Sequence, residues 1–241
     1  MHLIKLDAID STNDYLRRLI RENKPEKPTV VSSQYQQKGK GQRGKSWSSQ
    51  AGKNLMFSLY IPNLSFASNA VFKVHKLVSV CLLEWLLSFK IPKTSIKWPN
   101  DILSGDHKLA GILIESSSNR SIANSIIIGV GLNVNQIEFQ NLPYATSMQL
   151  LTAQKYDIDE LLISLTNQLI QNLTNPTQNF EQIYQKSIYG LGQKRYFRSN
   201  HKEFEGVIQS VNPAGKLVVK TPSAELAFDV KELQFVHVAD Q

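Results

Sequence analysis

The chain has 241 residues, 41% hydrophobic and 20% charged, a balance that excludes a fibrous, low-complexity or globally disordered protein and suffices for a substantial core. Its single cysteine, Cys81, rules out a disulfide within the chain and, in the apolar run Val78-Ser79-Val80-Cys81-Leu82-Leu83, reads as a small buried hydrophobe rather than a nucleophile. The net charge of +7 raises the question of a polyanionic partner, but the basic residues are dispersed outside one loop, so a basic surface with one phosphate site is the preferred reading.

The first segment alternates Leu3, Ile4 and Leu6 with Lys5, Asp7 and Asp10, a strand pattern unlike a secretory signal, and a cytoplasmic location is expected. Ser11-Thr12-Asn13 then offers caps for a helix with Tyr15, Leu16, Leu19 and Ile20 at helical spacing. A β-branched strand is predicted over 29–35, a long polar loop over 36–53 and a second strand over 54–61. Residues 69–89 carry Val71, Val74, Leu77, Val78, Cys81, Leu82, Trp85 and Leu86 on one face and form the main packing helix. Lys73, His75, Lys76 and Glu84 interrupt it, so it falls short of the ~20 apolar residues of a membrane span. A strand over 95–98 precedes a hairpin of Ile102-Leu103 and 109–115 around the turn Ser104-Gly105-Asp106, and 126–133 is a further buried strand. The irregular stretch 135–151 is long enough to be an ordered functional loop. Helices are predicted over 157–173 and 180–189, and beyond Gly190 short strands and turns suggest a small all-β barrel. The expected organisation is therefore an α+β domain, residues 1–189, with a mixed or antiparallel sheet and packed helices, followed by a β domain over 190–241.

Gly39-Lys40-Gly41-Gln42-Arg43-Gly44-Lys45-Ser46 satisfies both the dinucleotide fingerprint G-x-G-x-x-G and the Walker A pattern G-x-x-x-x-G-K-[ST]. Both depend on a helix following the turn, whose N-terminal amides hold the phosphate. Here Trp47-Ser48-Ser49-Gln50-Ala51-Gly52 has poor helix composition and leads into a strand, so neither standard motif is expected. The physical content survives: three glycines let backbone amides approach an anion, and Lys40, Arg43 and Lys45 supply positive charge. Trp47 adds either an aromatic face for a ligand or a core side chain, and the loop is expected to be mobile until ligand binds.

The run from Tyr35-Gln36-Gln37-Lys38-Gly39 through Ser46-Trp47, then Lys97-Trp98-Pro99-Asn100-Asp101, then Lys108-Leu109-Ala110-Gly111-Ile112-Leu113-Ile114-Glu115, then Gly129-Val130-Gly131-Leu132-Asn133, resembles the biotin protein ligases. The likeness extends from Ser11-Thr12-Asn13 to Ala145-Thr146-Ser147, and the C-terminal segment looks like that family's SH3-like domain. It implies ATP-dependent adenylation of biotin followed by transfer to a lysine of a biotin carboxyl carrier protein or domain. It also implies that Ser11, Thr12 and Asn13 contact the ureido ring, although as helix caps alone they would still be worth ~1 kcal/mol. Gln36, Gly39, Lys40, Gly41 and Gln42, with Lys108 and Gly111, would surround biotin. Lys108 is the implied catalytic cation, since adenylation brings a carboxylate against an α-phosphate and a fixed positive charge stabilises that approach. Lys40 and Arg43 would neutralise phosphates, Trp47 would pack on the adenylate, Asn100 and Asn133 would position ATP, and Asp101 would lie near Mg2+. Many members carry Arg where this chain has Gln42, which bears on how tightly the adenylate is retained.

A lipoate or octanoate ligase or transferase shares the same logic without ureido contacts; Ser11-Thr12-Asn13 and Lys97-Trp98-Pro99-Asn100-Asp101 favour biotin. A nucleic-acid-binding module would rest on charge and Trp47 alone, and salt-dependent binding without ATP turnover would distinguish it. With no helix-turn-helix ahead of the catalytic region, no operator DNA binding is expected, nor any membrane association. Monomer and homodimer both remain open.

Overall fold

A computed structural model describes residues 1–62, 64, 71–116, 126–176 and 178–236. Strand β1 (His2–Ile9) leads into helix α1 (Thr12–Asn23), which starts at the Ser11 cap and ends where Lys24 turns left-handed. Strands β2 (Thr29–Gln36) and β3 (Leu55–Tyr60) flank the glycine-rich loop. Helix α2 (Val71–Ser88) follows; the first two residues of the predicted helix, 69 and 70, lie outside the described residues. Then come β4 (Thr94–Lys97), β5 (Asp101–Ser104), β6 (His107–Ser116) and β7 (Ile126–Leu132). The β5–β6 turn is made by Gly105 at positive φ, as its turn signature predicts.

The seven strands form one mixed sheet in the order β1-β2-β3-β7-β6-β5-β4, parallel between β1 and β2 and antiparallel elsewhere. Alternation along β7 shows how its faces divide. Ile128, Val130 and Leu132 join the large core under α2 and α4 (Ile158–Thr174), whereas Ile127 packs with Leu16 and Ile20 of α1 on the other side. On the α1 face the next two positions are Gly129 and Gly131, so the sheet surface beyond α1 is bare of side chains there. The stretch 135–151 is irregular until the short helix α3 (Met148–Thr152), capped by Ser147.

Helix α5 (Phe180–Lys186) stops short of the predicted residue 189 because the chain turns away to bridge β4 at Ile96, whose N–H donates to Ser187 O and whose carbonyl accepts from Tyr189 N–H. The expected boundary at residue 189 falls in the connection between α5 and β8. Strands β8 (Lys194–Ser199), β9 (Lys202–Val211), β10 (Leu217–Lys220), β11 (Glu225–Phe228) and β12 (Gln234–Val236) make a second, antiparallel sheet in the order β11-β10-β9-β8-β12. Its ladders leave β11 and β12 as edges among the described residues. The sheet nevertheless curls around Phe197, Phe204, Phe228 and Phe235, whose rings pack at 5.3 to 5.6 Å from strand to strand. It docks on the β4–β5 connection by Trp98 Nε1 donating to the Gly215 carbonyl at 2.9 Å and on α5 by Gln185 bonding both backbone groups of Val211. Residues 237–241 of the expected C-terminal domain lie outside the described residues.

Candidate active site

The bare face of β7 is the floor of a cleft of about 710 Å³ bounded by the start of α1, the glycine-rich loop, the β4–β5 connection, β6 and the approach to β12. Its polar end is built from buried groups. Thr12 donates from its amide (2.8 Å) and hydroxyl (3.1 Å) to Gln36 Oε1, which pins the end of β2 to the first turn of α1. Asn13 Nδ2 donates to Glu115 at 2.7 Å, and Ser58 holds Asn13 Oδ1 and the Thr12 hydroxyl from β3. Ser58 pairs across the sheet with Gly129, where a β-carbon would lie 2.5 Å from Asn13 Oδ1. The sequence reading missed Ser58, although a serine inside the apolar run Leu55-Met56-Phe57-Ser58-Leu59-Tyr60 signals a buried hydroxyl that needs partners.

The loop returns strand to strand with only a short 3-10 turn at Gln42–Gly44, so the helix required by both nucleotide motifs is absent. Its two arms are joined by Gly41 N–H to Lys45 O (2.7 Å) and Trp47 N–H to Gly39 O (2.8 Å). Arg43 occupies the left-handed region, φ 60°, at the tip. Partial burial lowers the Arg43 guanidinium from its ordinary value, against the pull of Asp229 just after β11. Trp47 lies in the middle of the cleft over Gly111 and Gly131, where β-carbons would come within 3.2 and 2.5 Å of the indole. The glycines at these positions thus make room for this ring.

The far end is cationic. Lys108 Nζ pairs with Asp101 at 2.7 Å and lies 5.6 Å from the Trp47 ring. Its backbone is fixed from outside the sheet by bonds to Tyr144 O and from Thr146 N–H, which gives the irregular 135–151 stretch a structural task. Lys97 lines the same end, 5.1 Å from the Phe235 ring. Burial lowers its ammonium; Asp101 opposes the shift, while Lys108, Lys45 and Arg195 add to it. No role for Lys97 followed from the sequence beyond its place in a motif, because its neighbours come from four separate segments.

Of the residues singled out in the sequence, Ser11, Thr12, Asn13, Gln36, Lys40, Gly41, Gln42, Arg43, Trp47, Asn100, Asp101, Lys108 and Gly111 line this one cleft. Two do not. Gly39 is buried behind it, and a β-carbon there would lie 2.4 Å from the Trp47 carbonyl oxygen. Asn133 is also buried, with Nδ2 donating to Thr146 O at 2.9 Å and near Lys108 O at 3.5 Å, so its amide braces the backbone that carries Lys108. Leu233, Gln234 and Phe235 of the second sheet complete the wall. Cys81 lies in α2 away from the cleft, and burial pushes its thiol up to about 12, so it offers no nucleophile. Asp101 is a single carboxylate, and among the described residues no three acidic, His or Cys side chains cluster to cage an ion. The arrangement can hold a small molecule with a polar head at one end and an anionic group such as a phosphate at the other.

Residues 6–133 match the biotin/lipoate A/B protein ligase family. The chain is 28% identical over 230 residues to the bifunctional ligase/repressor BirA of Bacillus subtilis, covering 91% of this chain and 70% of that protein. It is 33% identical over 177 residues to BirA of Escherichia coli K12, covering 73% and 54%. Among solved structures it resembles the biotin protein ligase from Aquifex aeolicus in complex with biotin and ATP, with TM-score 0.75, 24% identity and 98% of each chain covered.

Proposed function

Because the chain belongs to the biotin/lipoate A/B protein ligase family, we propose that it adenylates biotin with ATP and then transfers the biotin to a lysine of a biotin carboxyl carrier domain. The observation that carries this reading is the two-ended cleft: a hydrogen-bonded polar set of buried Thr12 and Asn13 with half-buried Gln36 faces the Lys97–Lys108 cations across a floor of glycines. The ligase name of the relatives and the biotin and ATP in the Aquifex complex support this reading.

In the first step a biotin carboxylate oxygen attacks the α-phosphorus of ATP, the bond to the β-phosphate oxygen breaks, and pyrophosphate leaves. Lys108 stabilises the charge shared by the incoming carboxylate and the phosphate, and Lys97 adds positive charge at the same end. Lys40 and Arg43 close the loop side, and Asn100 orients the nucleotide from the β4–β5 connection. Asn133 acts through the Lys108 backbone. Magnesium carried by ATP would be held by Asp101 and would supply charge neutralisation to the leaving pyrophosphate. In the second step an uncharged acceptor lysine amine attacks the mixed-anhydride carbonyl and AMP departs, so the protein's work is to position the anhydride and keep water from it.

Pyrophosphate release from radiolabelled ATP, measured with biotin, lipoate or octanoate, tests the reading. Biotin-dependent release that falls by at least ~100-fold in Lys108→Ala, the scale of one preorganised electrostatic group, is expected. Release with lipoate or octanoate and none with biotin would replace biotin with the sibling substrate.

A further inference from the structure

The two hydrogen bonds that shape the glycine-rich loop join its own arms and do not fasten it to the body of the protein. The loop is fastened at its roots by Gln37 N–H to Ile9 O (2.9 Å), Gln50 N–H to Gln136 Oε1 (3.1 Å) and Asn135 N–H to Lys53 O (2.7 Å), and between them by Trp47 on the sheet and by ion pairs beside the start of α1. Lys38 bonds Asp10 through its backbone (2.9 Å) and its ammonium (2.9 Å), which fixes the root of the loop. Further along, Lys40 Nζ sits 2.6 Å from Asp14 Oδ2 and 2.9 Å from Oδ1. Asp14 lies one residue beyond the Ser11-Thr12-Asn13 run and does not itself line the cleft. Its carboxylate also receives Arg17 Nη1 at 2.5 Å, and the other arm of the same guanidinium reaches Glu115 Oε2 at 2.7 Å. That glutamate oxygen accepts the Asn13 amide, also at 2.7 Å. An unbroken line of direct contacts therefore runs from the loop, through Asp14, Arg17 and Glu115, to a side chain at the polar end of the cleft.

We propose that Asp14 is a positioning residue that latches the loop over the cleft through Lys40 and ties that closure to the orientation of the Asn13 amide. Closure and ligand contact then favour each other: a ligand that holds Asn13 in its Glu115-bonded orientation steadies Asp14 as a partner for Lys40, and the closed loop in turn slows ligand escape. Burial works against the Asp14 carboxylate, but the bonds from Lys40 and Arg17 outweigh it and keep the group below its ordinary value, so the latch is charged throughout the neutral range. The participants are partly exposed, so the effect is modest and sensitive to salt. The loop inference stands on the contacts alone, and its effect on ligand rests on the biotin reading.

Loop opening is read first in the ligand-free full chain, as the rate of tryptic cleavage after Lys40, Arg43 and Lys45. Asp14→Asn is expected to raise that rate about three- to fivefold, the scale of an exposed ion pair, with unfolding temperature nearly unchanged. Asp14→Glu should restore slow cleavage, and about 1 M salt should bring wild type toward Asp14→Asn while leaving the variant unaffected. In the pyrophosphate assay, Asp14→Asn should raise KM for biotin by a similar factor with kcat within about twofold. Equal cleavage of wild type and Asp14→Asn, or cleavage of Asp14→Glu as fast as that of Asp14→Asn, overturns the latch. Faster loop cleavage in Asp14→Asn, when wild type shows no response to biotin, retains the latch and rejects the substrate.

Discussion

At the scale of single residues, the middle of the cleft is decided by what is missing from β6 and β7. Trp47 can lie on the sheet only because Gly111 and Gly131 present no β-carbon; at Gly131 one would sit 2.5 Å from Trp47 Cε2. Gly131→Ala must therefore evict the indole or bow the strand. Overpacking of this kind costs about 1–3 kcal/mol, so ATP binding in the presence of biotin, measured by calorimetry, is expected to weaken at least about fivefold. The same substitution in a Trp47→Ala background should cost much less, since the clash partner is gone. An equal loss in both backgrounds would locate the strain in the strand and remove Trp47 from the explanation. The same logic of absent side chains applies at Gly129, whose α-carbon faces Asn13 Oδ1 and so lets Ser58 and Asn13 meet.

At the scale of elements, helices α2 and α5 are joined by a charge that has little access to water. Lys76 is buried, its ammonium 2.7 Å from Glu181 and 5.4 and 5.7 Å from the rings of Phe72 and Tyr184. The partners are unequal, because the Lys76 side chain is 5% exposed and that of Glu181 51%. Removing the acid strands an ammonium in an apolar place, whereas removing the lysine returns a carboxylate to solvent. Glu181→Ala is therefore expected to lower stability by about 2–3 kcal/mol and Lys76→Met by less than about 1 kcal/mol in urea unfolding. The reverse order would mean that the lysine stem, rather than its charge, is what the site requires. This pair also bears on the docking of the second sheet, since α5 carries Gln185, which bonds Val211.

At the scale of the whole molecule, the second sheet shares the main core: Phe197, Ile208, Val211, Leu217, Val219 and Leu233 belong to the same buried cluster as α2 and the central strands. Gly215 packs so closely on Phe72 that a β-carbon there would lie 2.7 Å from the ring. Within this common core His75 is buried with Nδ1 unpartnered among the described residues, and burial holds it down at about 4 against an ordinary 6.5. The unfolded chain thus takes up a proton below pH 6.5 that the folded chain refuses. This contribution is fully present above about pH 6.5 and is lost progressively as the pH falls toward 4, for a total of about 3 kcal/mol. Urea midpoints followed from pH 7 to 4 should fall more steeply for wild type than for His75→Leu, and parallel slopes would exclude His75 as the cause. Asp14, whose carboxyl is held below its ordinary value, gives way only at lower pH and leaves this window to the histidine.

Much of this was legible in the chain before folding. Helical spacing of Leu16, Leu19 and Ile20, the cap at Ser11 and the turn at Gly105 are local properties, set by neighbours within a few residues. The run after Ser46 likewise has poor helix composition and leads into a strand, which argued against both standard nucleotide motifs. The cationic loop and the resemblance of four ordered motifs pointed to nearly all of the side chains that meet in the cleft. What the chain alone left open depends on partners far apart in sequence. Strand order β1-β2-β3-β7-β6-β5-β4, the support of Asn13 by Ser58 and Glu115, the burial of Asn133 away from the cleft, and the approach of Phe235 to Lys97 are of this kind. Only the tertiary structure decided them, because a hydroxyl, an amide or an ammonium reads the same in sequence whether it faces ligand, solvent or another side chain, and its role is set by the groups that folding brings within about 3 Å of it.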